Sequence, residues 1–209
     1  MSVLNRIASA LNRNDEVPNQ ELAKELVESG DSVGIAELVA ALDNPSKAIR
    51  NDCIKVLYEI GYLQPELITP HAEAFIQHLH SRDNRMVWGA MTALGMIAPL
   101  QAIIIGQHLD EVQRVTEKGS VITQDWGIRV LAAVSAHAPE HEGRIFPFLL
   151  NFLQECRPKD VPGHAESCMV AVNSANRAQM VAVLEARLPA LTPPQTKRVQ
   201  KVIRQINHD

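Results

Sequence analysis

The sequence predicts an all-α fold, a right-handed superhelix of about five helical hairpins, on three observations. Apolar residues recur at helical spacing in one segment after another. The clearest of these segments is repeated 37 residues later and again after a further 38, and an internal period of that size marks stacked helical pairs. Aromatic residues make up only 4% of the chain, and Ala, Leu, Ile and Val fill the apolar positions, which suits close helix packing better than strand pairing.

Taken in order, the segments Ser2 to Leu11 and Asn19 to Ser29 read as two N-terminal capping helices within residues 1–30, parted by Asn14, Asp15, Glu16, Val17 and Pro18. Gly34 to Leu42 is the first outer helix, and Asp43, Asn44, Pro45 and Ser46 form a turn. The strongest stripe follows: Ile49, Cys53, Val56, Leu57 and Ile60 lie on one helical face, with Ser46 placed to cap the start and Gly61 placed for a left-handed cap at the end. Pro70 to His80 pairs with the second copy, in which Met86, Ala90, Ala93, Leu94 and Ile97 occupy the same slots. Gln101 to Lys118 pairs with the third, where Trp126 and Gly127 stand in the place of Trp88 and Gly89, and Ile128, Leu131, Ala132 and Ser135 continue the buried face. Arg144 to Cys156 and Gly163 to Asn173 read as a fourth pair. Asn176 to Arg187 and Thr192 to Ile206 form a C-terminal capping hairpin within residues 176–209, its last helix started by Thr192, Pro193 and a capping-box Gln195. No linker divides the chain, so one domain over residues 1–209 is expected.

With 209 residues, 46% of them hydrophobic, the chain has enough apolar surface for a substantial core. Cys53, Cys156 and Cys168 are odd in number and widely spaced, which argues against a disulfide framework or a zinc site and for a reducing, cytoplasmic setting. The first eleven residues lack the features of a secretory leader, and no stretch approaches the roughly 20 apolar residues of a membrane helix. A formal charge of −4 gives no whole-molecule attraction for nucleic acid or anionic lipid.

Ile49 and Arg50, followed by Cys53, Val56, Leu57, Glu59, Ile60 and Gly61, resemble the short HEAT-repeat signature, and Ala93, Leu94, Gly95, Met96 and Ile97 match its second half. The resemblance is strong in two helices and partial from Trp126 to Ala136, and covers about half of the chain directly. It implies a curved solenoid that binds other macromolecules. A shorter likeness, Trp126 to Ala133 with Arg129, is similar to a helix of the HEAT-like alkylpurine DNA glycosylases, which need a basic groove and a carboxylate beside aromatic rings. A bilin-lyase-like HEAT enzyme, needing a deep apolar pocket with a proton donor, is a further alternative.

In a HEAT solenoid the second helices line the concave side, which makes Tyr58, Trp88, Met96, Trp126 and Arg129 the candidate contact residues for a protein or peptide, since aromatic and Arg anchors dominate interface energetics. The competing reading is that both indoles pack between repeats against the space left by Gly89 and Gly127, so that truncating either costs about 3–5 kcal/mol of stability. His78 and His80 point to different helix faces, and Pro139 interrupts His137 and His141, so no metal is expected. No catalytic constellation and no cofactor motif is legible, and the chain reads as a non-enzymatic scaffold. Lys197, Arg198, Lys201 and Arg204 form a basic face on the last helix, fit either for solvent or for an acidic partner. Paired head to tail with the acidic first helices, it allows a homo-oligomer, though exposed ion pairs worth about 0–1 kcal/mol each do not drive one alone.

Overall fold

The computed structural model describes residues 2–208, and among them twelve α-helices and seven short 3₁₀ turns account for all regular structure. The helices are α1 (Val17–Ser29), α2 (Ser32–Ala40), α3 (Lys47–Leu63), α4 (Ala72–His78), α5 (Asn84–Ile97), α6 (Ala102–Gly106), α7 (Leu109–Lys118), α8 (Val121–His137), α9 (Glu142–Glu155), α10 (Val161–Cys168), α11 (Arg177–Arg187) and α12 (Pro193–His208). They stack in two layers. An inner layer runs α1, α3, α5, α8, α10, α12, each helix packed on the next, and an outer layer of α2, α4, α6 with α7, α9 and α11 covers it. Five hairpins therefore follow a single leading inner helix, and their buried apolar residues form one cluster that extends from Val3 to Ile206.

Local signals start and stop these helices. Gly30, at φ +62°, ends α1 in the left-handed conformation that glycine adopts without a Cβ penalty. Asp31 then accepts from the Gly34 N–H to open α2, Asp83 opens α5 through the Arg85 N–H, and the Gln195 carboxamide accepts from the Thr192 N–H at 2.8 Å ahead of α12.

Four expectations need correction. The segment Ser2 to Leu11 forms only a 3₁₀ turn, Val3–Arg6, followed by non-helical turns. Its backbone donors are claimed from elsewhere: the buried Asn19 side chain accepts from the Ala8 N–H at 2.9 Å and Asp52 from the Ser9 N–H at 2.7 Å, while Asn12 takes a positive φ. Gly61 is not a cap. The helix continues to Leu63, and Gly61 is buried where Met96 of α5 crosses it, 3.1 Å from where a Cβ would stand. The expected helix Gln101 to Lys118 breaks at Gln107 and His108 into α6 and α7. Finally, Ser46 stands at the N-cap of α3 but its side chain makes no capping bond, whereas Ser120 caps α8 by accepting from the Thr123 N–H.

Candidate functional site

The inner layer carries an unbroken chain of aromatic rings. Tyr58 and Tyr62, one turn apart on α3, meet edge-on with centroids 6.2 Å apart. Tyr58 packs 5.7 Å from Trp88 of α5, and Tyr62 packs 6.0 Å from Trp126 of α8. The last contact passes over α5, which packs between α3 and α8. Gly95 makes it possible: the Trp126 ring rests on the α5 backbone where any side chain would overlap it. Both indoles are half-buried against the core, Tyr58 is buried, and Tyr62 is 51% exposed.

This geometry changes the packing expected for the indoles. The space at Gly89 is filled by Ile54 and that at Gly127 by Thr116, so neither glycine makes room for its neighbouring tryptophan. Met96 lies half-buried against Gly61, joining α5 to α3 beneath the ladder.

Each end of the ladder is flanked by cations. The Arg85 guanidinium lies 5.8 Å from the Trp88 ring, Lys55 Nζ 4.9 Å from Tyr58, and the Arg129 guanidinium 4.6 Å from Trp126. Lys55 is almost wholly buried and contacts Glu59 at 2.6 Å and Glu16 at 2.8 Å; Glu16 also pairs with Arg85 at 2.8 Å. Burial disfavours the Lys55 ammonium, but the two carboxylates and the Tyr58 phenol outweigh it and hold its pKa above the ordinary lysine range. Glu16 is held below its ordinary value, first by its bond to Lys55. Burial raises both tyrosines, so they remain phenols.

Of these residues, Tyr62, Lys55, Arg85, Glu16 and Glu59 were not anticipated. A legible signal existed for Arg85, three residues before Trp88 as Arg129 is three after Trp126, and for Tyr62, four after Tyr58. Nothing local marks Glu16, which meets Arg85 from 69 residues away.

Lys197, Arg198, Lys201 and Arg204 are all exposed on α12, and Arg198 pairs there with Glu166 of α10 at 2.7 Å. At the other terminus several acids are already engaged, Asp15 by Arg13, Glu25 by Arg6 and Glu16 as above, which leaves Glu21 and Glu28 exposed. Asp125 does not stand beside Trp126 as an acid for chemistry there; it hydrogen-bonds Nε2 of the buried His164 at 2.8 Å, whose ring packs on Phe152. His137 ends α8 and His141 sits in a 3₁₀ turn after Pro139. No group of three or more potential metal ligands comes together among the described residues. A cavity of about 650 Å³ lies between the start of α8 and the end of α9, is lined by Phe148, Phe152 and Cys156 among others, and shares no residue with the ladder. None of the helices is long and apolar enough to cross a membrane among the described residues.

No model of a known protein family matches the chain, and no curated protein sequence does. Solved structures match it over its length. An engineered protein superposes with a TM-score of 0.67 at 18% identity, over 100% of this chain and 98% of the other. A designed armadillo repeat protein gives 0.69 at 15% identity, over 97% and 99%. Another, solved in complex with the peptide (KR)4, gives 0.68 at 15% identity, over 90% and 86%. At such identities the likeness is one of backbone architecture: this chain has the fold of the armadillo- and HEAT-like helical-repeat solenoids.

Proposed function

We propose that the chain is a non-enzymatic scaffold that binds an extended peptide or protein segment on the concave face of its inner layer. The observation that carries this reading is the aromatic ladder from Trp88 through Tyr58 and Tyr62 to Trp126, which spans three inner helices and keeps part of its ring surface in water. Half-buried aromatic rings are rigid and lose little entropy on contact, which makes them efficient anchors. The designed armadillo repeat protein that holds a peptide lends support by analogy of fold. A DNA-repair reading requires a contiguous basic groove, and here Lys55, Arg85 and Arg198 are each paired with a carboxylate. A bilin-lyase reading requires a deep apolar pocket beside the signature helices, and the ladder is an open surface. The three free thiols fit a reducing compartment, and a cytoplasmic location is part of the proposal.

The test is selection of peptides from a random displayed library on the folded protein, followed by solution affinities. Peptides that bind the wild type and weaken about tenfold with Tyr62→Ser, a change at an exposed ring, support the reading. No enrichment over a denatured control, or affinities indifferent to both Tyr62→Ser and Trp126→Leu, overturns it.

A further inference from the structure

Beside the ladder the charged side chains are satisfied from within the fold, with one exception. Lys55 bridges Glu16 and Glu59, and Arg85 completes the Glu16 carboxylate. Asp125 is hydrogen-bonded to His164, and Arg198 forks onto Glu166 at 2.7 and 3.0 Å. The Arg129 side chain makes no ion pair and no hydrogen bond among the described residues. Its nearest carboxylate in sequence, Asp125 one turn earlier, is turned to α10.

Arg129 is nonetheless well placed. Its guanidinium lies over the Trp126 ring at 4.6 Å, a stacking that orients the planar group and leaves its N–H edge free for a partner. Carboxylates satisfy that edge best, through two parallel charge-assisted bonds. Next to Arg129 is a depression of about 430 Å³ bounded by Gly163, Ser167, Val170 and the Glu166–Arg198 pair. Its volume lies within the range of small binding sites. Gly163 and Ser167 are small enough to admit a main chain closely, and Val170 offers an apolar side chain that is 52% exposed.

We infer that the segment docking on this ladder is acidic where it reaches α8: an Asp or Glu side chain takes the free edge of Arg129, and an apolar neighbour settles against Val170. The inference rests on the docking proposed above and fixes the sign of the partner's charge. A basic side chain at that point meets an uncompensated cation, and the one carboxylate at the far wall, Glu166, is already engaged by Arg198. The preference is thus opposite in sign to the (KR)4 peptide held by the designed armadillo protein.

The experiment uses the displayed random library on the full chain, with wild type and Arg129→Glu selected in parallel and each selected peptide resynthesised with its acidic residue changed to Asn and to Lys. Enrichment of Asp or Glu on the wild type, a loss of about tenfold or more for either peptide change, and a shift toward Lys or Arg on Arg129→Glu are expected. The peptide-side changes leave the protein untouched, so the answer does not depend on how the variant folds. Ladder-dependent peptides without acidic bias, or with affinities unchanged by Arg129→Glu, overturn the inference and leave the docking reading standing. Absence of any ladder-dependent peptide overturns both.

Discussion

Lys55 is the sharpest test of how the inner layer is held. Lys55→Met keeps the aliphatic stem and removes the charge that joins Glu16 of the α1 start, Glu59 one turn along α3, and the Tyr58 ring. Removing one partner of a fully dry ion pair costs about 3–5 kcal/mol. Here the Glu16 side chain keeps 46% of its exposure and Glu59 21%, so water stabilises the stranded carboxylates. The thioether also escapes the desolvation that the ammonium suffers. The expected loss is therefore about 1–3 kcal/mol, or a Tm lowered by roughly 2–10 °C for a chain of this size. The pH dependence follows from the directions of the shifts. Lys55, raised above 10.5, contributes stability that is complete below that pH and fades as pH climbs through its folded value. Glu16, lowered from 4.5, contributes stability that is complete above 4.5 and fades as pH falls through its folded value. Far-UV circular dichroism melts of wild type and variant should thus differ by a constant gap between these limits and converge in acid below 4.5. A variant as stable as the wild type at neutral pH, or a gap that widens in acid, refutes the bridge.

Two further predictions concern packing. Gly95→Ala gains about 1 kcal/mol of helix propensity but places a methyl group in the Trp126 ring, an overpacking cost of about 1–3 kcal/mol. The net change should be a loss of up to about 2 kcal/mol with the Trp126 ring moved into water, read as a red shift of its emission in a Trp88→Phe background; unchanged emission would show that the ring does not rest on α5. Burial raises all three thiols, Cys53 to about 12 and Cys156 to about 11, with Cys168 highest. At neutral pH none should react with Ellman's reagent within minutes, and all three should react once the protein is denatured. A fast-reacting Cys156 or Cys168 in the native protein would mean that the α9–α10 region opens.

The sequence by itself determined the repeat and the buried stripe of each inner helix. Both are local: a 3.6-residue period puts Cys53, Val56, Leu57 and Ile60 on one face whatever lies opposite. Termini with a dedicated side chain, such as Thr192 with Gln195, were legible for the same reason. Where a terminus depended on a distant group, the reading failed. Gly61 looked like a cap because nothing in the sequence announces Met96 crossing it, and Ser2 to Leu11 looked helical because Asn19 and Asp52 claim its donors from 11 and 43 residues away. The site divides in the same way. Trp88, Trp126, Tyr58 and Arg129 could be picked out as a class of residue on the second helices, but their linkage into one ladder through Tyr62 required the distance and crossing of α3, α5 and α8. That geometry is set by the shapes of side chains in contact, above all the absence of one at Gly95, and by ion pairs such as Glu16 with Arg85. Only tertiary packing brings such groups together, because chain order constrains which face of a helix is buried and leaves open which neighbour it meets.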